Sequence, residues 1–278
     1  MPENNFPFST ATTKDPVTGK TGSLFRHDGF DPLLIEANTS TEYWQKGASL
    51  LTTDPLGERD VELPKTSRVF MIAGTQHAGR VGLTPSAGPC INPRNPHSPE
   101  PALRALLVDL DEWVDKGTAP PASRVPTLAA RTLVPPTATG FPNIPEFHVV
   151  HETNAIARFA DWVTPKPEGG KQYRALVSEV GTDGNEIAGI RLPDIAAPLA
   201  TYTGWNAYKT PYPQGELCDR DGSYAPLPKT KAERMSSGDP RLSLEERYGD
   251  HAGYVAQVTA AAAALVKERL LLPEDADR

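Results

Sequence analysis

The chain has 278 residues, 38% of them hydrophobic and 23% charged, enough to bury one substantial core or one core with an appendage. Its formal net charge is -7 and its isoelectric point is near 5.4, with no stripe of Lys and Arg, which argues against nucleic acid and anionic membrane as partners. No apolar run approaches the roughly 20 residues of a membrane span, and Met1-Pro2-Glu3-Asn4-Asn5 lacks the basic-then-apolar order of a secretion signal, so a soluble chain, cytoplasmic by default, is expected.

The first 30 residues are polar, and the turn formers between Asp15 and Gly22 predict loop. Leu33-Leu34-Ile35 and Val69-Phe70-Met71-Ile72-Ala73 are continuous apolar runs, the pattern of parallel strands covered by helices on both faces. Two such strands imply a sheet with further members. Between them, Thr39-Ser40-Thr41-Glu42 opens a short helix expected to run through Leu51, followed by a polar loop with Asp54-Pro55-Leu56-Gly57. The Gly- and Pro-rich stretch from Gly79 to Pro101 predicts a long loop able to shape a pocket wall. Leu103, Leu106, Leu107, Leu110, Trp113 and Val114 then form the apolar stripe of an amphipathic helix that Gly117 ends.

From Pro120 to Pro145 proline is frequent and periodicity is lost, which predicts an extended crossing. Phe147-His148-Val149-Val150 reads as a strand, and Tyr173 to Val180 with Glu186 to Leu192 as a hairpin about the Asp183-Gly184 turn. The aromatic groups of Thr201 to Tyr208 either line a pocket or anchor their loop. Ser243-Leu244-Glu245-Glu246 is a capping box ahead of a long helix, whose buried side is marked by Val255, Val258, Ala262, Leu265, Val266 and Leu270 and which Pro273 stops.

Two residues point to chemistry. Glu42 follows one strand tip and His77, in Gly74-Thr75-Gln76-His77-Ala78-Gly79, follows the next, the acid and base of a Ser...Asp/Glu...His triad in chain order. Imidazole is the side chain best suited to take and return a proton near neutral pH, and a carboxylate behind it fixes the tautomer. The alternative for His77 is a loop hydrogen bond, and for Glu42 a helix cap. Asp54 and Asp60 are reserve acids that also suit turns. No G-x-S-x-G occurs, and Ser23, Ser49, Ser86, Ser223 and Ser236 lack the strand before and helix after that a nucleophile elbow needs.

His148 and His151 fall on opposite faces of a strand, which argues against a shared metal, while His27, His97 and His251 are expected at the surface. There is no G-x-G-x-x-G and no Walker A pattern, so no cofactor is expected. Cys90 and Cys218 are the only cysteines, too few for a thiolate cluster; their separation favours two independent buried residues, with one disulfide as the alternative.

Asn38 to Leu51, Ala73 to His77, Cys90 to Pro96, Leu199 to Asn206 and Ser243 to Ala276 together resemble the C-terminal half of large alpha/beta hydrolase domain proteins, over nearly the whole chain. The resemblance implies an α/β fold: the C-terminal part of an α/β-hydrolase sheet (1-119), a Pro-rich crossing and β-rich appendage (120-242), and a long C-terminal helix packed on the core (243-278). It also implies Glu42 and His77 as triad acid and base, a small ester or acyl substrate, and a serine elbow supplied by an upstream segment or partner chain, with a homo-oligomer as a further form of association. The competing reading is a catalytically inactive fragment or interaction module of hydrolase ancestry.

Overall fold

The computed structural model describes residues 5–77, 86–161, 163–164 and 166–277, with the backbone alone for 157–161 and 167–171. Residues 78–85, the first part of the expected pocket-wall loop, lie outside these. The polar start is a loop closed by a minimal hairpin, β1 (Thr13–Lys14) with β2 (Thr21–Gly22). Asp15 organises it, its carboxylate accepting the amides of Val17 and Thr18 at 2.9 and 3.1 Å and the Tyr173 hydroxyl at 3.1 Å.

The two continuous apolar runs form β3 (Leu34–Thr39) and β4 (Ser67–Ile72), parallel and in register from Leu34 opposite Ser67 to Thr39 opposite Ile72. Between them lie α1 (Ser40–Gln45) and a separate 3-10 turn over Ala48–Leu51. The expected single helix is broken because Gly47, at φ 66, adopts the left-handed conformation that L side chains resist.

Among the described residues no third strand completes this sheet. Instead β4 is extended on its far side by single parallel bridges, Phe70 to Arg124 and Ile72 to Ile190. The Pro-rich crossing supplies the first: Arg124 N–H donates to Val69 O, and Met71 N–H donates to Arg124 O. A proline-rich segment cannot sustain a ladder, so it contributes one register point and leaves.

After the loop comes α2 (Glu100–Lys116), ended by Gly117 at φ 70 as expected. Its buried face is Ala102, Ala105, Leu106, Asp109 and Trp113, rotated from the expected stripe: Leu107 and Val114 are 67% and 63% exposed. Small alanines face the sheet because they allow the helix to approach closely.

The appendage is built from short pairs. β5 (Leu133–Val134) pairs antiparallel with β8 (Val177–Ser178), and β6 (Ile156–Asp161) with β7 (Lys166–Tyr173). Phe147 to Val150 form no strand; Phe147 packs its ring against Phe141 and Trp205 at 5.9 Å instead. The expected hairpin exists only at its mouth, where Val180 bridges Glu186 across a turn with Gly184 at φ 78. Its arms then diverge, Val177 to Val134 and Ile190 to β4.

Next follow α3 (Pro193–Ala196), the antiparallel pair β9 (Ala200–Tyr202) and β10 (Tyr224–Pro226), and α4 (Lys231–Ser237). The Ser243–Glu246 capping box starts only α5 (Leu244–Tyr248); Asp250 then caps α6 (His251–Lys267), and α7 (Pro273–Ala276) begins, rather than ends, at Pro273. Of the marked α6 positions Ala262 and Leu265 are buried, with Leu270 just beyond the helix, whereas Val255 is 44% exposed. No helix among the described residues is long and apolar enough to cross a membrane.

Alternation along β4 divides the core. Phe70 and Ile72 join Leu106 of α2 and Ala262 and Leu265 of α6, while Met71 and Ala73 join Tyr43, Trp44, Leu133, Leu176, Tyr202 and Trp205. The long helices α2 and α6 therefore cover one face, and the second is covered by the short α1 and the appendage. Burial on both faces explains the continuous apolarity of the strand.

Candidate active site

The site begins where β3 and β4 end together, Thr39 beside Ile72. At the first tip α1 starts at once, and Glu42 is its third residue. Thr39 donates its N–H and its hydroxyl to Glu42 Oε2 at 2.6 and 2.5 Å, closing a capping box. At the second tip Gly74, at φ 64, turns the chain and His77 follows three residues on. Its Nδ1 lies 2.5 Å from Glu42 Oε1.

The two readings of Glu42 are thus compatible. One carboxylate oxygen caps the helix, which immobilises the side chain, and the other takes the histidine. An ionised carboxylate only accepts, so the imidazole donates from Nδ1 and Nε2 is left as the basic nitrogen. The His77 side chain is 50% exposed and that of Glu42 15%, so the imidazole is open to solvent and the carboxylate largely covered.

Beneath the pair lies an element with no sequence signal. Glu186, 4% exposed, accepts hydrogen bonds from the Ser40 hydroxyl and from Gly74 N–H, the latter at 2.7 Å. One carboxylate thereby ties the first turn of α1, which carries Glu42, to the turn that leads to His77. Burial pushes its carboxyl up to about 7, against which the bonds from Ser40 and Gly74 work only in part. The adjoining cavity of about 10 Å³, lined by Trp44, Phe141 and Trp205, offers room for one water at most.

Buried amides complete the floor. Asn95 Nδ2 donates to Gly74 O at 2.7 Å and to Thr203 O at 2.9 Å, and Gln76 Oε1 accepts Gly222 N–H at 3.0 Å. The residue preceding His77 is therefore held by the appendage. The aromatic groups of 201–208 anchor their loop rather than lie open: Trp205 is 3% exposed and packs on Trp44 and Phe141 at 5.6 and 5.2 Å.

Gly204 lets this loop press against α1. A Cβ there would overlap Ser40 Cβ and the Thr41 backbone nitrogen, and Gly204 O accepts the Thr41 hydroxyl at 2.8 Å. Gly204→Ala is expected to cost about 2–3 kcal/mol, by forcing backbone apart in a packed core, and to lengthen the Glu42–His77 contact. Urea unfolding and the chemical shift of the His77 imidazole proton check both; a change below about 0.5 kcal/mol with an unmoved shift would refute the close-approach account.

Cys90 and Cys218 are joined in a disulfide, with Cα atoms 5.8 Å apart, in place of the expected independent thiols. Sequence separation misled here, because the Cys90–Tyr208 and Ala207–Leu217 bridges bring the two strands of chain together regardless of the 128 residues between them.

The remaining candidates fill structural roles. Asp54 accepts the Glu58 and Arg59 amides at 2.7 and 3.2 Å and so closes its own turn, and Asp60 accepts those of Leu128 and Ala129 at 2.9 and 2.8 Å and so ties its loop to the crossing. His97 is buried, not at the surface, its Nδ1 3.4 Å from Asp194 Oδ2 and its ring against Tyr202. His27 and His251 are exposed, as expected; His148 and His151 occupy irregular chain, so the strand-face argument does not apply to them. Ser49 Oγ accepts Leu176 N–H at 2.9 Å, while Ser23, Ser223 and Ser236 donate to main-chain oxygens at 2.8, 2.7 and 3.0 Å.

The chain that carries this strand-tip pair belongs to a recognised class. A family model described as an alpha/beta hydrolase domain matches residues 7–278, and the chain is a member of that family. No curated protein and no solved structure matches it.

Proposed function

We propose that this chain supplies the acid and base of a serine hydrolase acting on a small ester or acyl substrate, the nucleophile coming from an upstream segment or a partner chain. The observation that carries this reading is the 2.5 Å contact between Glu42 Oε1 and His77 Nδ1 at adjoining strand tips. In the proposed cycle His77 Nε2 takes the serine proton during attack and returns it to the leaving oxygen, while Glu42 stabilises the imidazolium. A supporting feature is that β3, among the described residues, pairs with β4 alone, which leaves its outer edge for a further strand. The 1-119 region would then be the C-terminal part of a hydrolase sheet, and the 120-242 region a wall of its pocket.

Hydrolysis of p-nitrophenyl esters and labelling by a fluorophosphonate test the proposal, with the chain alone and with the segment encoded directly upstream. The chain alone is expected to be inert and unlabelled, and the complemented enzyme active, with His77→Ala slowing it roughly ten-thousand-fold. Turnover that survives in His77→Ala would exclude the dyad, and a complemented complex without turnover would favour the inactive reading.

A further inference from the structure

We propose that Cys90, Cys218 and Asp221 form a thiol-gated site for a divalent cation of the zinc class, closed by the disulfide in the oxidised protein and opened by its reduction. Both sulfurs are buried, at 0% and 1% exposure, and Asp221 Oδ2 lies 3.5 Å from Cys90 Sγ and 4.0 Å from Cys218 Sγ. In the disulfide neither sulfur carries a proton, so these contacts are not hydrogen bonds; a carboxylate oxygen is held against two sulfurs that give it nothing. As thiolates, the same sulfurs and oxygen become a ligand set.

Geometry favours the assignment. A tetrahedral site with Zn–S of about 2.3 Å and Zn–O of about 2.0 Å has S···O edges of about 3.5 Å and an S···S edge of about 3.8 Å. The carboxylate already stands near the edge distance from each sulfur, so only the sulfurs must part, which cleavage of their bond allows. The fourth position is left for water. Thiolate ligands select zinc-class ions over the hard cations magnesium and calcium.

Charge favours it as well. Two thiolates and a carboxylate around a divalent ion carry one residual negative charge, and Arg94, its Nη1 3.9 Å from Asp221 Oδ1, balances it. Arg94 occupies the other carboxylate oxygen, which leaves Oδ2 to the sulfurs.

The redox step balances with a dithiol reductant: two electrons and two protons pass to the disulfide, giving two thiols and the reductant's own disulfide. Metal binding then releases the two thiol protons. The location gives this a consequence for the dyad. Asp221 adjoins Gly222, whose N–H holds Gln76, the residue before His77, while Cys90 begins the loop that carries Asn95 under Gly74. A bound cation would preserve after reduction the crosslink that the disulfide makes before it.

Zinc titration of the full chain under anaerobic conditions, before and after reduction with a phosphine, tests the site, and cobalt in its place reports the ligands. The reduced chain is expected to bind one equivalent and to show thiolate-to-cobalt charge transfer with a tetrahedral ligand-field spectrum, while the oxidised chain binds none. Asp221→Asn should weaken binding at least about tenfold, and Cys90→Ser with Cys218→Ser should abolish it. No uptake by the reduced chain, or equal affinity in Asp221→Asn, would overturn the proposal. Near-ultraviolet circular dichroism of the reduced wild type guards the test, because thiols exposed by unfolding would bind zinc without regard to Asp221 and so give the second of those results.

Discussion

Arg241→Ala is expected to destabilise the protein by about 3–5 kcal/mol, the cost of stranding a buried ionic partner. The guanidinium is 2% exposed and uses all five of its N–H groups. Nε donates to Asp239 Oδ1 at 3.0 Å, Nη2 to Asp239 Oδ2 at 2.6 Å and to Pro226 O at 2.9 Å, and Nη1 to Thr201 Oγ1 and Ala225 O, each at 2.9 Å. It thus rivets β9 to β10 directly ahead of Thr203 and Gly204, the residues that press on α1. Truncation removes these bonds and leaves the Asp239 carboxylate buried without its counter-ion. Arg241→Lys should rescue little, since an ammonium cannot reproduce the planar fork. Asp239→Asn combined with Arg241→Ala should cost less than the two changes summed, because the stranded charge is then gone. Denaturant midpoints at constant slope measure these differences, and a loss under about 1 kcal/mol for Arg241→Ala would show the cluster to behave as a surface pair.

The second large effect is a dependence of stability on pH that Glu186→Gln removes. Its carboxyl titrates at about 7 in the folded chain against an ordinary value of 4.5, because burial penalises the charged form. Below pH 4.5 the group is protonated in folded and unfolded states alike, and its contribution is fully present. As pH rises from 4.5 toward 7 the unfolded chain releases the proton while the folded chain retains it, so stability falls; above 7 both are ionised and the loss is complete. The loss amounts to about 3 kcal/mol at 1.36 kcal/mol per unit. Asp109, which desolvation raises to about 6, slopes the same way over a lower window, so the difference between wild type and Glu186→Gln is the quantity to read. Equal unfolding free energies of the two proteins at pH 5 relative to pH 8 would contradict the assignment.

Glu186 also bears on the dyad. When protonated it can donate to the Ser40 hydroxyl while still accepting Gly74 N–H; when ionised it accepts from both. The hydrogen bonds that tie α1 to the Gly74 turn thus run through a group that titrates near neutrality.

What the sequence by itself determined is local. Continuous apolarity marked β4 because a strand buried on both faces has no polar positions to show, whereas the short run Leu33-Leu34-Ile35 marked only the start of β3, which goes on through Glu36, Asn38 and Thr39. The spacing of Thr39 and Glu42 marked a capping box, since that motif lies within one helical turn. Strand tips followed by an acid and by a histidine marked Glu42 and His77, and Gly117 marked the end of α2. Each of these signals lies within about a dozen residues of chain.

Only the tertiary structure decided the rest. That Glu42 both caps α1 and holds His77, 35 residues away, depends on β3 and β4 pairing in register. Glu186 carries no mark in its own neighbourhood, because what makes it special is the company of Ser40, 146 residues away, and Gly74, 112 away. The Cys90–Cys218 bond was hidden for the same reason. The face of α2 was misread since leucines outnumber alanines in the helix as a whole, yet the close approach to the sheet selects the smaller side chains. Buried polar contacts are set by which segments meet, and that is a property of the folded chain that no short window of sequence contains.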